Sequence, residues 1–530
     1  MPRYFHSIVL LLACLIAAPT ATASGTIRND RFWLTVEGTP IYSQGGGIFR
    51  FHCPQTGRER YFWYGVRYAE AVRYAAQPTS HLQGCTFEAV TCYVSDDLVT
   101  WTTVGDVLTR DEVAQHCRVG WLGRMGVARV ADAGCYALLI QCDNSVLFAT
   151  ADTPTDPFHW HRRKDMKSLI GTHNTGDQTV FTDPDTGRSY LIYSYGNGRD
   201  KGYVSEIGLR GDSIDLMDCT EVFRGASREG NCMFKYAGRY YLCASNIYGW
   251  NASLPYYLVS DDIRGPYLPA NDMQVIGGSE ADYAHVTQTG FFVDVRGTEQ
   301  ETIVYCGDRW TDFASNGLGY NQWLPMSFDG AKPLLHSLSE WELDARTGRW
   351  SVGRGNNYVL NPSFDADRQQ LPSTNKPRQE HITGWQTTVL RGHAIVAGDT
   401  ASPRLNQRNT AADREHVTGK FALCITDAVP FERHVSQRVA GTPGIPLPQA
   451  TYTLRCNIRT TAQAPPFTTI YMYARTAAAT RRASLRPTTT WQAFELHGIT
   501  VDDGEVEVGF HAAGPAGAEC YIDDVELTRD

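Results

Sequence analysis

Five times between Gly47 and Tyr305 the chain repeats one phrase: a short apolar run, a polar turn, then a second run rich in aromatic residues. The copies are Gly47–Phe51 with Tyr61–Tyr64, Gly126–Val130 with Tyr136–Leu139, Gln178–Phe181 with Tyr190–Tyr193, Cys232–Tyr236 with Tyr240–Ala244, and Thr289–Val293 with Thr302–Tyr305. In the fourth copy Ala237-Gly238-Arg239 separates the runs, and a hairpin there needs the glycine. The copies recur roughly every 50 to 75 residues, the period of propeller blades. Between them lie phrases that read as outer strands: Tyr93–Leu98 leading to Trp101, Leu147–Asp152 leading to Trp160, and Tyr257–Asp262 leading to Pro266-Tyr267. The expected fold is therefore all-β, a five-bladed β-propeller over residues 26–352. Stacked sandwiches, the other all-β reading, explain the repeat less well.

In a propeller the innermost strands converge on a central pocket, so residues at the starts of those strands meet although far apart in sequence. Glu229 stands at such a start, with Tyr248 and Trp250 leaving the next strand nearby. An acid beside aromatic faces suits a sugar, whose apolar side packs on a ring.

Beyond Asn356 the texture changes. Asn361-Pro-Ser-Phe-Asp365 and Gly384-Trp385 precede a polar loop over 397–416. The alternating runs Thr451–Cys456, Thr468–Tyr473, Glu505–Phe510 and Tyr521–Leu527 follow. Period-two alternation at this length fits one β-sandwich, jelly-roll-like, over 356–530. The joint at 351–357 is short, so the two domains are expected to touch.

A formal net charge of −9 argues against a phosphate backbone, so nucleic acid is not an expected partner. Arg3, the apolar run Ile8–Ala18 and Ala21-Thr22-Ala23 read as an export signal over 1–23, with lipoprotein processing at Cys14 ranked second. No later stretch is long and apolar enough for a membrane span. Of 14 cysteines, thirteen follow Cys14, an odd number without Cys-x-x-Cys spacing. Zinc is not expected, and Cys232 and Cys243 read as small buried hydrophobes.

These residues, in order, resemble glycoside hydrolase family 43, most closely its branch of exo-acting β-1,3-galactanases. The resemblance rests on Gly45-Gly-Gly-Ile48 with Phe62-Trp-Tyr-Gly65, Asp177 ahead of Phe181-Thr-Asp183, and Glu229 before Met233-Phe-Lys235. Gly249-Trp250, Gln288, and Gly307-Asp-Arg-Trp310 with Trp323-Leu-Pro325 complete it. The C-terminal half resembles carbohydrate-binding modules of the family 4 and 9 type through Asn361-Pro-Ser-Phe364, Gly384-Trp385 and Tyr521-Ile-Asp-Asp-Val525.

The resemblance implies an inverting exo-glycosidase acting on a poly- or oligosaccharide. Glu229 would be the general acid and Asp177 the neighbouring carboxylate that keeps it protonated. Inversion sets acid and water-activating group roughly 6.5 to 9.5 Å apart. The family's usual base, an Asp in blade one, is missing from Ser43-Gln-Gly-Gly-Gly-Ile48. Its galactanase branch uses a Gln, matched here by Gln288, with Asp282 and Asp308 as further candidates. An amide orients water rather than taking its proton, unless it acts as its imidic tautomer.

Trp250, Trp310, Trp323 and Tyr320 are expected stacking faces, and Arg124, Asp308, Arg309 and His285 further substrate contacts. Gly123 stands where the galactanase branch tends to carry a Glu before the substrate-contacting Arg, which puts the sugar preference in question. No cofactor is required; a structural calcium ion is allowed, with Asp183-Pro-Asp-Thr-Gly187 a faint loop signal and His285 a ligand or a water holder. The alternatives are an α-L-arabinofuranosidase or β-xylosidase on the same fold, or a glycan-binding propeller without catalysis.

Overall fold

The computed structural model describes residues 25–76, 84–118, 122–142, 145–270, 272–310, 319–367 and 379–530. The expected signal at 1–23 and Cys14 lie outside these residues.

Five antiparallel sheets follow one another in chain order. Blade one is Gln44–Cys53, Arg58–Tyr68, Phe87–Ser95 and Thr102–Thr109, and blade two is Leu122–Val130, Cys135–Cys142, Ser145–Ala151 and His159–Lys164. Blade three is Thr175–Thr182, Ser189–Tyr195 and Lys201–Arg210, with Ser213–Leu216 and Thr220–Arg224 both paired to the last of these. Blade four is Glu229–Tyr236, Arg239–Ser245, Pro255–Ser260 and Gln274–Val275, and blade five is Gln288–Arg296, Glu301–Trp310, Gly319–Asp329 and Lys332–Leu335. The first strands pack side by side, and that of blade five meets that of blade one, which closes the ring. Each blade is contiguous in sequence. The chain ends of the propeller meet instead in a separate sheet, where Glu340–Asp344 pairs with both Gly25–Arg28 and Arg349–Val352.

In the fourth blade Tyr236 pairs with Arg239, so the turn is Ala237-Gly238 alone, with φ of 48° and 77°. Positive φ at both positions gives the turn whose twist matches the strands, and glycine takes the second without steric cost. Cys232 and Cys243 face each other in this hairpin as free thiols, and the other eleven described cysteines are free as well.

Trp323 of blade five, Trp63 of blade one and Trp33 of the segment before blade one form a buried block. Trp323 lies 4.2 Å from Trp33 and 5.0 Å from Trp63, centroid to centroid, and is fully buried.

The C-terminal half is a sandwich of two five-stranded sheets. One orders Gln386–Arg391, Phe431–Val439, Val506–Gly514, Thr469–Arg475 and Thr480–Ser484; the other orders Asn406–Arg408, Phe421–Thr426, Glu519–Arg529, Ala450–Thr460 and Gln492–Val501. The Asn361-Pro-Ser-Phe and Gly384-Trp385 signals pack on each other, with Phe364 5.2 Å from Trp385 and the indole N–H donating to Asn361 O at 3.2 Å. The domains touch: Arg309 Nη2 of the propeller lies 2.9 Å from Asp365 Oδ2 of the sandwich, both buried.

Candidate active site

All five first strands carry the same irregularity. The pairing register slips by one residue between Gln44 and Gly47, Leu122 and Met125, Thr175 and Gln178, Glu229 and Cys232, and Thr289 and Phe291. An extra residue bends a strand and re-aims the side chains beside it. Each slipped stretch holds a glycine: Gly45-Gly46, Gly123, Gly176, Gly230 and Gly290. At Gly230 φ is +65°, and a Cβ would stand 2.5 Å from Thr289 O of the next blade, so only glycine allows this approach.

The bulged ends open into a cavity of about 510 Å³ lined by Arg124, Asp177, Glu229, Gln288, Trp250 and Trp310, among others. Glu229 Oε1 accepts a hydrogen bond from Gln288 Nε2 at 2.5 Å, and Oε2 is ion-paired with Arg199. Gln288 Oε1 accepts from Arg124 Nη2 at 2.8 Å and from Trp310 Nε1 at 2.9 Å. Arg124 also pairs with Asp177 Oδ2 at 3.1 Å and Asp308 Oδ2 at 2.7 Å. The Gly230 N–H donates to Asp177 Oδ2 at 2.8 Å.

The two pocket carboxylates are pushed apart. Burial first, then the charge of Asp177, raise Glu229 to about 7, against the opposing pull of Arg199 and Arg124. For Asp177 burial acts upward too, but Arg124, Arg199 and the Gly230 N–H outweigh it and hold the carboxyl below its ordinary range. One group keeps a proton near neutrality and the other stays anionic, the division of labour that acid-base chemistry requires.

Glu229, Asp177, Gln288, Arg124, Trp250 and Trp310 thus meet in one cavity. The two tryptophan rings form an edge-to-face wall, 5.1 Å between centroids. Asp308 sits behind Arg124, which it shares with the pocket, and is held by Asn321 at 2.7 Å. Gln288 does not stand across a gap from Glu229 as the inverting geometry suggested, because its amide contacts the acid directly.

Four other expected contacts lie elsewhere. Trp323 is inter-blade core. Arg309, one residue from both Asp308 and Trp310 on the same strand, points to the opposite face. There it pairs with Asp30 at 2.8 Å and with Asp365. Tyr320 packs on Phe32, 5.0 Å between centroids, in the crevice between propeller and sandwich. His285 is buried between Asp30 (Nε2, 2.9 Å) and Ser337 (Nδ1, 3.0 Å), and Asp282 bonds the same serine. Ring closure assigns these side chains to seams rather than to the cavity.

Arg199, Gln141 and Tyr68 also line the cavity and escaped the sequence reading. Arg199 follows Gly196-Asn197-Gly198 and has a φ of 54°. That turn at the end of an aromatic strand is the blade-three counterpart of the segment carrying Trp250, and this was its signal. Asp183 of the Asp183–Gly187 turn is taken up by the blade-four hairpin, with Lys235 Nζ and Tyr240 OH each 3.0 Å from it. Among the described residues no group of three or more His, Cys, Asp or Glu is placed to hold a metal ion.

Residues 66–321 match the model of glycosyl hydrolases family 43. Among solved structures, a variant of exo-β-1,3-galactanase from Phanerochaete chrysosporium with β-1,3-galactotriose is 18% identical at a TM-score of 0.52, covering 94% of this chain and 100% of that one. An exo-β-1,3-galactanase from Clostridium thermocellum is 22% identical at a TM-score of 0.51, covering 77% of this chain and 81% of that one. At these identities the likeness is one of fold. No curated protein matches the chain.

Proposed function

We propose, from the match of residues 66–321 to the model of glycosyl hydrolases family 43, that this chain is an exported, exo-acting, inverting glycoside hydrolase that removes terminal galactose from β-1,3-linked galactan. The observation that carries the reading is Glu229, buried in the cavity and holding its proton up to about pH 7 beside an ionised Asp177. A carboxylic acid in that state protonates the leaving oxygen of a glycosidic bond. Trp250 and Trp310 offer ring faces and edges to the apolar side of a pyranose.

Gln288 holds Glu229 in the free site. When the glycosidic oxygen takes its place at Glu229, the amide gives up that contact and can hold the attacking water, whose own proton passes to bulk water because a neutral amide does not keep it. The galactose preference is supported by the substrates named for the two galactanases of similar fold. The sandwich is read as a carbohydrate-binding module from its own sequence signals. Export is read from residues 1–23.

Sugar release from β-1,3-galactan, arabinan and xylan tests the substrate, and the anomer formed first, read by NMR, tests inversion. Galactose from the galactan alone, as the α-anomer, is the expected result. Glu229→Gln is expected to remove turnover while leaving the fold unchanged; hydrolysis that survives this substitution would overturn the assignment of the acid.

A further inference from the structure

We propose that the C-terminal sandwich is a working wall of the catalytic pocket and that Lys420 is the positioning residue through which it acts. The inference rests on the hydrolase reading above. It starts from a buried cluster that the chemistry at Glu229 does not use.

Lys420 precedes the sandwich strand Phe421–Thr426 and is 8% exposed. Its base is fixed, because the N–H groups of Lys420 and Phe421 donate to Asp365 Oδ1 at 2.7 and 3.1 Å. The other oxygen of Asp365 takes Ser363 Oγ at 3.0 Å and Arg309 Nη2 at 2.9 Å. From this anchor Lys420 Nζ crosses to the propeller and donates to Trp250 O at 3.3 Å and Asn251 Oδ1 at 3.4 Å.

The sandwich therefore grips both aromatic walls from behind. Asp365 holds Arg309, whose chain neighbour is Trp310; Lys420 holds the carbonyl of Trp250. Trp250, Trp310, Asp365 and Lys420 line one small cavity, so no layer of protein separates the two tryptophans from the sandwich. On the pocket side Trp310 donates to Gln288, and Gln288 to Glu229. Contacts run unbroken from the sandwich to the acid.

The segment Ile247–Ser253 that carries Trp250 belongs to no strand; its backbone is held by the turn bond Asn251 N–H to Tyr248 O at 3.3 Å and, at its end, by Ser253 N–H to Thr287 O at 3.0 Å. Lys420 brings a charged donor to the Trp250 carbonyl itself, which neither of those bonds reaches. It sets where the indole stands relative to Trp310 and hence where a bound sugar sits above Glu229.

The test compares full-length protein with Lys420→Met and Lys420→Arg. Two readouts are taken: hydrolysis of β-1,3-galactotriose and amide hydrogen exchange of the peptide spanning 246–253. Lys420→Met is expected to lose roughly ten- to hundredfold in kcat/KM, the effect of a misplaced binding wall. Most of that loss should fall in KM, with faster exchange in 246–253 and an unmoved alkaline midpoint of the pH profile. Lys420→Arg should recover most of the loss, because a guanidinium still reaches the carbonyl. Should Lys420→Met not fold, Asn251→Ala removes an acceptor from the propeller side and should show the same KM shift in weaker form.

A folded Lys420→Met with wild-type KM and wild-type exchange overturns the inference, as does an unfolded Lys420→Met beside a kinetically normal Asn251→Ala. If wild-type protein does not cleave the trisaccharide, the galactanase reading fails on its own. The exchange comparison then still decides whether Lys420 positions the Trp250 segment.

Discussion

Gln288 donates its amide to Glu229 across 2.5 Å, a direct contact between the first strands of blades five and four. Its oxygen is meanwhile occupied by Arg124 and Trp310, which use both of its lone pairs. An amide held this way is a donor. It steadies Oε1 of the acid while Arg199 holds Oε2, so the oxygen that Gln288 gives up is the one a glycosidic oxygen can meet.

Removing that amide should therefore disturb both the acid and the water. Gln288→Ala is expected to lower kcat at least roughly a hundredfold, the usual worth of acid-base assistance. Single-turnover hydrolysis at unchanged rate in this variant would take Gln288 out of the mechanism.

The pH profile follows from the pocket charges. The acid works in its protonated form, so kcat/KM should fall on the alkaline side with a midpoint near 7, where Glu229 loses its proton. The Asp177 anion favours that proton, so Asp177→Asn should move the midpoint to lower pH. Arg199 disfavours it, so Arg199→Met should move the midpoint to higher pH. Profiles measured on both variants should shift in opposite directions; a shared direction contradicts the electrostatic assignment.

Two tryptophans that look alike in sequence should behave differently. Trp323→Ala empties a fully buried site and is expected to cost about 3–5 kcal/mol of stability in denaturant titration. Trp250→Ala trims a half-buried pocket wall. It should leave the denaturation midpoint nearly unchanged and raise KM roughly tenfold, the factor for about 1.4 kcal/mol of lost sugar contact.

The seam between the domains is held by a charge pair whose side chains are only 6% and 2% exposed, Arg309 with Asp365. Arg309→Met strands a buried carboxylate and is expected to destabilise by about 3 kcal/mol, near the low end for such pairs because Ser363 and two N–H groups still serve Asp365. Adding Asp365→Asn should return part of that loss, since the remaining group is then neutral. Thermal melts of the single and double variants read the difference.

What the chain declares locally came through. Alternation, glycine-bearing turns and aromatic second strands are properties of five to ten consecutive residues, and they specified a propeller followed by a sandwich. They also pointed to Glu229, because the start of a first strand is a position that the blade pattern itself defines; Asp177 and Gln288 came from the family resemblance.

The tertiary structure decided which neighbour covers each face. Along Asp308-Arg309-Trp310 the period of two says that the middle residue points away from its neighbours, but not which side is pocket and which is sandwich. That follows from where the ring closes and where residues 356–530 dock. For the same reason Trp323, Tyr320 and His285 went to seams. Arg199 reached the cavity from a turn marked only by its equivalence to the Trp250 segment, and Lys420 reached the back of the tryptophan wall from a segment with no such mark. A strand's geometry is set by its own backbone, whereas the occupant of the space beyond a side chain is chosen by packing between parts of the chain that are distant in sequence.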